Sequence, residues 1–465
     1  MHLILEDHSQ PIAIPGIPST FVATRIRASL VDDCLDGEPG ATPVLTPTFD
    51  PARNVLEATG RTFAWLMNPF SQRQFLKEHW ERKPLFIQRE QPGYYTDLLS
   101  FRDLDSLLAS GHRRLPGVRL VKAGTDIAVH RYSPEYAQVG ENLYGIVNID
   151  RVFAEHRAGA TIILEGVHRT WSPVARFCRE MEVVLSQPVQ ANLYLTPKAA
   201  QGFEAHYDTH DVFILQVAGY KKWRIFPPRV RLPLRSQTYA GDHDTSARPL
   251  QVFELAQGDL LYIPRGYIHE AMTQSDELSA HITVGVIAYT WHDLLQETIK
   301  QICEREHTFR QSLPIGFATQ GLSSTSIKRR IGKVIKRLGT SNVWEGSLGT
   351  LVDNFVSSRE PILHGHLADQ LQVDNIDLTT VVRIREGLIY RIQVDDKTIS
   401  LAFHGKSVHF PHHVGAALHF IVVTHAFRVG SIPDCIDTAG KLVLVRRLVK
   451  EGFLTTNGPV SQDRD

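Results

Sequence analysis

The chain has 465 residues, and its 50 lysine and arginine residues balance 50 aspartate and glutamate residues. A chain of this length exceeds what one compact core usually organises, so we expect two or three domains. The neutral balance argues against a protein that binds nucleic acid through its overall charge. Binding through a local basic patch is still compatible with it.

The positions of the cysteines and the hydropathy of the chain indicate in which cellular compartment the protein is expected. The four cysteines, Cys34, Cys178, Cys303 and Cys435, lie far apart and form no CxxC pair, which argues against a disulfide framework or a zinc site. No uninterrupted apolar run reaches membrane-spanning length, and the first residues lack the charged-then-apolar pattern of a signal peptide. We therefore expect a soluble, cytoplasmic protein with no membrane contact.

Residues 1–60 are irregular and rich in proline, glycine and threonine, as in the segments PIAIPGIPST and DGEPGATPVLTPTFDP. This composition indicates a loosely ordered arm with one short strand over FVATRIRASLV. We assign this N-terminal arm no function.

From residue 61 the pattern becomes globular, and predicted helices precede the main set of strands. Ser71 is placed to cap a helix, and the apolar residues that follow Pro173 recur at helical spacing. Helices that pack around a later sheet give an α+β architecture. The predicted helices span 71–80, 100–110, 148–157 and 173–187, and the predicted strands span 84–88, 118–122 and 161–164.

The stretch from 191 to 222 carries the strongest chemical signal. If His206 and Asp208 lie in an extended strand, their side chains point to the same face. His269, in GDLLYIPRGYIHEAM, offers a third donor. Two histidines and one carboxylate on one side of a metal form the facial triad of non-haem Fe(II) oxygenases. With 22 histidines in the chain, a surface pair or a core histidine is the alternative, so the context decides.

Short strands separated by glycine and proline turns surround these three donors. Asp208 leads into the apolar run 212–215, and a strand over 223–226 follows Gly219. His269 follows a strand over 260–263 and a Pro-Arg-Gly turn. This pattern is typical of a small β-barrel or jelly roll.

With these motifs the chain resembles the cupin-like JmjC proteins called ribosomal oxygenases, which are Fe(II)- and 2-oxoglutarate-dependent protein hydroxylases. The resemblance implies a double-stranded β-helix core, the jelly roll of cupins, in which His206, Asp208 and His269 hold Fe(II). It covers about residues 65 to 320 well, and the C-terminal region more loosely. The matching stretches are FLKEHWERKPLFI at 75–87, NLYLTP at 192–197, QGFEAHYD at 201–208, DVFILQVAGYKKWRIF at 211–226 and GDLLYIPRGYIHEA at 258–271.

The resemblance also implies a pocket for the cosubstrate 2-oxoglutarate. Asn192 and Tyr194 share one face of a predicted strand and match family positions that line this pocket; an ordinary solvent-facing side is the alternative. On the last core strand, 278–289, Thr283 and His281 lie where a family residue helps to hold the cosubstrate carboxylate. For His281 the alternative is a donor that supports the metal ligands.

Lys221 is the predicted anchor for the far carboxylate of 2-oxoglutarate. The cosubstrate chelates iron through its keto oxygen and one carboxylate, so its other carboxylate needs a cation deeper in the barrel. A charge-assisted hydrogen bond of this kind contributes about 1.5–3 kcal/mol. Lys221 lies at the family's lysine spacing after His206, and Lys222 should face the other way on a strand. The alternative is that both lysines are solvated at a hairpin.

His210 is a competing donor. In a regular strand it lies on the same side as His206 and Asp208. Because a strand rises about 3.3 Å per residue, two alternate positions share a metal more easily than three. His269 also matches the closing histidine of the family, so we place His210 among the groups around the ligands.

After residue 290 the composition changes. Helices are predicted over 291–306 and 326–338, and the second of these, SIKRRIGKVIKRL, has a basic face and an apolar face. Such a basic face is usually solvated, so contact with a ribosome or nucleic acid stays open but is not favoured. The resemblance implies that 291–372 is a helical dimerisation region and that the protein is a homodimer.

The C-terminal segment, 373–465, contains strands followed by helices and resembles the winged helix that the family carries at this end. Winged helices often bind DNA, but a structural or substrate-presenting module is the favoured interpretation. The predicted strands span 381–385, 388–394 and 399–403, and the predicted helices span 414–424 and 439–451.

The sequence thus predicts four regions: an irregular arm at 1–60, a JmjC/cupin-like catalytic jelly roll with N-terminal helices at 61–290, the helical region at 291–372 and the winged-helix-like domain at 373–465. The predicted activity uses Fe(II), 2-oxoglutarate and O2 to hydroxylate an arginine- or histidine-type side chain of a protein or peptide, by resemblance a ribosomal protein. The alternatives are a hydroxylase that tailors a peptide natural product, a metal cupin without oxygenase chemistry, and a non-catalytic cupin with a winged-helix binding role.

Overall fold

The computed structural model describes residues 62–456, except 110–113, 135, 139–140, 144, 242–247, 274–276, 320–322, 341–342 and 396. The predicted arm at 1–60 and its short strand lie outside the described residues. The chain forms two compact units, whose described parts are 62–362 and 363–456. The sequence-based boundaries at 290 and 372 stay a prediction.

Two antiparallel sheets form the centre of the first unit. The larger has the strand order β1-β11-β8-β13-β7-β6-β2-β3 and the smaller β10-β9-β12, while β4 and β5 form a separate hairpin. The strands are β1 Leu85–Ile87, β2 Val118–Lys122, β3 Thr125–Asp126, β4 Tyr136–Gln138, β5 Glu141–Leu143, β6 Thr161–Leu164, β7 Val189–Thr196, β8 Asp211–Ala218, β9 Lys221–Pro228, β10 Gln251–Leu255, β11 Leu260–Ile263, β12 Tyr267–Met272 and β13 Ser279–Val286.

The chain passes between the two sheets from β8 to β13, as in the double-stranded β-helix of cupins. Strand β8 is buried on both faces, which accounts for its apolar run over 212–215. Phe213 and Leu215 belong to the cluster shared with the helices, whereas Val212 and Ile214 pack with β9 and β11. The larger sheet therefore has helices on one face and the smaller sheet on the other. This is the jelly-roll core with flanking helices that the sequence predicts.

Helices of the first unit begin where the sequence offers caps. The Ser71 hydroxyl accepts from the Gln74 N–H over 3.1 Å, and the Asn148 side chain accepts from the Arg151 N–H over 3.0 Å. The sequence did not predict four helices of the unit, namely Phe63–Met67, Val167–Thr170, His307–Arg310 and Val343–Ser357. The helices are Phe63–Met67, Gln72–Glu78, Phe101–Ala109, Ile149–Arg157, Val167–Thr170, Ser172–Leu185, Trp291–Arg305, His307–Arg310, Ser324–Thr340 and Val343–Ser357.

The second unit has a hydrophobic core of its own, in which the rings of Phe403 and Phe453 lie 5.2 Å apart. Its two small sheets have the orders β18-β14-β19 and β15-β16-β17. No helix in the described part of the chain combines the length and apolar character that crossing a membrane requires. The strands are β14 Val381–Ile384, β15 Tyr390–Val394, β16 Thr398–Phe403, β17 Lys406–Pro411, β18 Ala426–Arg428 and β19 Leu454–Thr455, and the helices are His366–Gln372, Gly415–Thr424 and Thr438–Lys450.

Candidate metal centre and its pocket

Three of the predicted site residues meet in the first unit. The ligand atoms of His206, Asp208 and His269 all lie within 4.8 Å of one another, a geometry that no other group of histidine, cysteine and carboxylate side chains shares among the residues described. His269 Nε2 is 3.6 Å from an Asp208 carboxylate oxygen. These three side chains can therefore hold one metal ion.

The segment that carries His206 is not a regular strand, although the sequence analysis assumed one. His206 and His269 form an isolated antiparallel bridge, in which the His206 N–H donates over 3.1 Å and the His269 N–H over 2.8 Å. The Asp208 carbonyl accepts from the Gly266 N–H over 3.0 Å. A few backbone hydrogen bonds to β12 and the turn before it therefore position both donors, and the strand β8 begins only at Asp211.

Both histidines have a defined tautomer. His206 Nδ1 lies 2.8 Å from the Glu204 carbonyl, and His269 Nδ1 lies 3.0 Å from the Tyr267 carbonyl. Because a carbonyl oxygen only accepts, each Nδ1 carries the proton and each Nε2 keeps a lone pair for a metal. Burial, followed by the neighbouring His206 imidazole, lowers the pKa of His269 to about 4, so its ring is neutral at neutral pH.

Asp208 supplies the anionic donor of the group. Burial opposes its ionisation, but the imidazoles of His210, His269 and His206 outweigh burial and lower the pKa of the Asp208 carboxyl. The site thus offers two imidazole nitrogens and one carboxylate. This donor set suits a divalent transition metal with open coordination positions.

A cavity of about 300 Å³ adjoins the three donors. The five residues predicted for the cosubstrate pocket all line it: Asn192, Tyr194, Lys221, His281 and Thr283.

The pairing of β7 with β13 brings four of these residues into two rows. Tyr194 lies opposite His281, and Asn192 lies opposite Thr283. The rings of Tyr194 and His281 stack with centroids 4.9 Å apart. His281 is buried, and its Nδ1 has no hydrogen-bond partner in the part of the chain that the structure describes. An unpaired buried nitrogen is costly, which suggests that a ligand satisfies it.

Lys221 and Lys222 face opposite sides of β9, as strand alternation predicts. Lys221 is buried, and its Nζ donates to Thr196 Oγ1 over 3.0 Å. Lys222 is partly exposed, with its Nζ 3.8 Å from a Glu254 carboxylate oxygen. Burial lowers the pKa of Lys221 to about 7. A buried amine beside the metal donors can bind an anionic ligand that supplies the missing charge.

Asn192 has one polar atom already engaged. Its Oδ1 accepts from the Gly166 N–H over 2.9 Å, and its amide group also donates to the Tyr194 hydroxyl, so one amide N–H remains for a ligand. Burial raises the pKa of Tyr194 to about 12, which keeps its hydroxyl protonated and able to donate.

Several further residues line the cavity without having been predicted, among them Arg119, Phe203, Trp223 and Glu270. The Arg119 guanidinium lies 5.5 Å from the centre of the Phe203 ring. Arg224 Nε is 3.0 Å from a carboxylate oxygen of Glu270. Only the Trp223 strand carried a local signal, through its alternation with Lys221. The other three residues lie in loops and strands that are distant in sequence, so no local sequence pattern predicts that they line the cavity.

His210 lines the cavity but lies outside the group of three donors. This position agrees with its assignment to the surroundings of the metal ligands.

Comparisons with known proteins identify the domain. A family model of the JmjC domain matches residues 167–294. The bifunctional lysine-specific demethylase and histidyl-hydroxylase NO66 of Drosophila persimilis is 30% identical over 339 residues, which are 68% of this chain and 47% of that protein. Ribosomal oxygenase 1 of Gallus gallus is 33% identical over 287 residues, which are 60% of this chain and 45% of that protein. The chain thus spans about half the length of these curated relatives.

Solved structures of the ribosomal oxygenase YcfD from Escherichia coli align with 83% of this chain and 98% of theirs, at 17% identity. The TM-scores are 0.49 and, for the complex with cobalt and 2-oxoglutarate, 0.47. The matched segment 167–294 contains all three candidate metal ligands. The family resemblance drawn from the motifs is confirmed: the chain contains a JmjC domain and is a homologue of the JmjC ribosomal oxygenases.

Proposed function

We propose that this protein is an Fe(II)- and 2-oxoglutarate-dependent dioxygenase that hydroxylates an amino-acid side chain of a protein or peptide. The observation that carries the proposal is the group His206, Asp208 and His269, whose donor atoms lie within 4.8 Å of one another beside a cavity that holds a buried lysine. Two imidazoles and a carboxylate are the donor set of the non-haem iron oxygenases. The JmjC domain over 167–294 supports the same activity.

In this proposal the three donors hold Fe(II) through the two Nε2 atoms and the Asp208 carboxylate. Bound iron would couple the oxidative decarboxylation of 2-oxoglutarate by O2 to the hydroxylation of a substrate C–H bond. The Glu204 and Tyr267 carbonyls keep both imidazoles in the ligating tautomer.

The cosubstrate would lie along the rows formed by β7 and β13. Lys221 would bind the far carboxylate of 2-oxoglutarate, because it is the buried cation among the residues that line the cavity, and Thr196 orients its Nζ. His281 and the amide group of Asn192 supply further hydrogen bonds, and Tyr194 and Thr283 complete the wall.

For the substrate, we propose more specifically an arginine- or histidine-type side chain of a ribosomal protein. It is supported by the names of two relatives, a histidyl-hydroxylase and a ribosomal oxygenase. Incubating the enzyme, Fe(II) and 2-oxoglutarate with ribosomes tests it. Mass spectrometry should find one protein heavier by one oxygen atom, and ribosomal proteins that all keep their mass would contradict the ribosomal assignment.

We also propose a homodimer that acts in the cytoplasm and associates through the helices of 291–372, with 373–465 as a winged-helix-like module. Exposed isoleucines on the helix Ser324–Thr340 support the dimer, namely Ile327, Ile331 and Ile335. Light scattering of the full chain should give twice the monomer mass, and Ile331→Glu should reduce it to that of a monomer.

The proposed activity can be tested without a substrate. Fe(II) and then 2-oxoglutarate are added to the protein under anaerobic conditions, and the visible metal-to-ligand charge-transfer band is recorded. The wild type and the control His130→Ala, which removes an exposed imidazole, should give the band, whereas His206→Ala should not. If the folded wild type binds Fe(II) but shows no band with 2-oxoglutarate, the metal-cupin alternative without oxygenase chemistry is correct.

A further inference from the structure

We propose that Gln190, His210 and Gly285 form a subsite for the side chain of the substrate, and that His210 determines which side chain is accepted. This inference rests on the proposed oxygenase function and specifies where its substrate binds. The three residues line the same cavity as the candidate metal ligands. Neither the metal nor the cosubstrate assignment makes use of them.

Strand register places this subsite far from the basic end of the cavity. On β13, Gly285 lies opposite Gln190 of β7, and Thr283 and His281 follow at steps of two residues. At about 3.3 Å per residue, the row of Gln190 and Gly285 lies about 13 Å from the row of Tyr194 and His281. Lys221 contacts Thr196, one further step beyond Tyr194. The proposed cosubstrate end and the subsite are therefore at opposite ends of the cavity.

Gly285 makes room for the His210 imidazole. A Cβ atom at this position would lie 2.6 Å from His210 Cδ2 and 2.8 Å from His210 Nε2, closer than atoms approach in proteins. The backbone of Gly285 does not have the positive φ that requires a glycine. Glycine inside a strand is otherwise unfavourable and often marks a close approach. We infer that position 285 is a glycine because the His210 ring occupies the space that a side chain would fill in the wall of the cavity.

Both polar side chains of the subsite are available to a ligand. Gln190 and His210 are half-buried, and neither forms a side-chain hydrogen bond with any residue that the structure describes. An amide offers a donor and an acceptor, and the two ring nitrogens of an imidazole can do the same. They complement a substrate group that has both, such as a carboxamide or an imidazole. A carboxylate lacks the donor and would also meet the Asp208 charge, and an apolar group would leave both polar side chains unpaired.

The test uses the anaerobic complex of the protein with Fe(II) and 2-oxoglutarate. N-acetyl-asparagine amide, N-acetyl-aspartate amide and N-acetyl-leucine amide are titrated separately, and the perturbation of the charge-transfer band gives an apparent Kd. The wild type should bind the asparagine compound about tenfold more tightly than the other two, as expected for one or two hydrogen bonds. His210→Leu should reduce this preference to about threefold or less.

Two further variants separate the subsite from the fold. Gly285→Ala keeps the imidazole but displaces it, so it should lose the preference as His210→Leu does. The control His130→Leu removes an exposed imidazole outside the cavity and should keep it. Wild-type protein without the band overturns the proposed oxygenase and the subsite together. A band without a side-chain preference, an unchanged preference in both cavity variants, or loss of the band in His210→Leu overturns the subsite alone.

Discussion

The proposed role of Lys221 as the cosubstrate anchor predicts that cosubstrate binding depends on pH. Its ammonium is buried against Thr196 Oγ1, and burial lowers its pKa to about 7 in the ligand-free protein. Below that pH the lysine is already charged, and above it the lysine must take up a proton before it pairs with a carboxylate. The apparent Kd for 2-oxoglutarate should therefore rise with pH above 7, by up to about tenfold per pH unit.

The measurement is a titration of the charge-transfer band with 2-oxoglutarate between about pH 6 and 9, a range that brackets the lowered pKa. Lys221→Arg provides the matched control, because a guanidinium stays protonated throughout this range and its Kd should not change with pH. A wild-type Kd that is equally independent of pH would remove Lys221 as the anchor.

Arg265 stabilises the turn next to the metal donors through a buried ion pair. Its Nη1 lies 2.7 Å from Asp211 Oδ2, and the Tyr262 hydroxyl donates to Asp211 Oδ1 over 2.8 Å. Removing one partner of a buried pair leaves an uncompensated charge, so Arg265→Met should lower the free energy of unfolding by about 3–5 kcal/mol. Tyr262→Phe removes one hydrogen bond to a charged group and should cost about 1.5–3 kcal/mol. Urea unfolding at neutral pH tests this order, which would be reversed if Asp211 were uncharged in the folded protein.

At the level of single elements, the glycine turn before β12 positions the Asp208 backbone. Gly266 has a φ of +90°, and a Cβ atom there would lie 2.1 Å from the Val230 carbonyl oxygen. Its N–H donates to the Asp208 carbonyl over 3.0 Å. Gly266→Ala should therefore lower stability by at least about 1–3 kcal/mol and weaken Fe(II) retention, because Asp208 loses its position.

Gly332→Ala is the matched control for this turn. Gly332 lies in the helix Ser324–Thr340, and nothing lies within 4 Å of a Cβ atom added there. Alanine favours a helix over glycine by up to about 1 kcal/mol, so this variant should be slightly more stable than the wild type. Calorimetry and iron analysis of both variants provide the comparison. Equal stability changes would mean that the Gly266 turn is not constrained.

How far the sequence predicts this structure depends on whether the signal is local. The strands Val118–Lys122 and Thr161–Leu164 have the predicted bounds, because each is a short run of strand-forming residues between turn signals. The helix Val343–Ser357 was not predicted, and neither was β10, Gln251–Leu255, whose exposed residues give no core pattern. An edge strand of this kind is defined by its pairing with β9, which is a long-range property.

The candidate site also combines residues that a local pattern predicts with residues that only the assembled sheets bring together. The spacing of His206 and Asp208 predicted a shared face, and the two side chains do meet at one centre. The assumed reason, a regular strand, was wrong, because a bridge to His269 positions them instead. Arg119 and Glu270 reach the cavity through the pairing of β2 with β6 and of β12 with β9. Such neighbours depend on the assembled sheets and carry no motif of their own.

At the scale of the whole molecule, the candidate metal site and its cavity lie in one unit, and the other unit has a separate hydrophobic core. Every residue that lines the cavity belongs to 62–362, whereas 363–456 has a core of its own. Phe213 is fully buried in the first core and Phe403 in the second. The Phe213 ring packs against Phe75 of the first core, and the Phe403 ring packs against Phe453 of the second.

This separation predicts that damage to one core stays in its unit. Phe403→Ala leaves a cavity that should cost about 3–5 kcal/mol, and Phe213→Ala should cost a similar amount. Hydrogen exchange followed by mass spectrometry should show faster exchange within 363–456 for Phe403→Ala and within 62–362 for Phe213→Ala. The charge-transfer band should survive the first substitution and weaken with the second, because Phe213 lies on β8 between two residues that line the cavity, Val212 and Ile214. Faster exchange across the entire chain in both variants would show instead that the two units unfold as one.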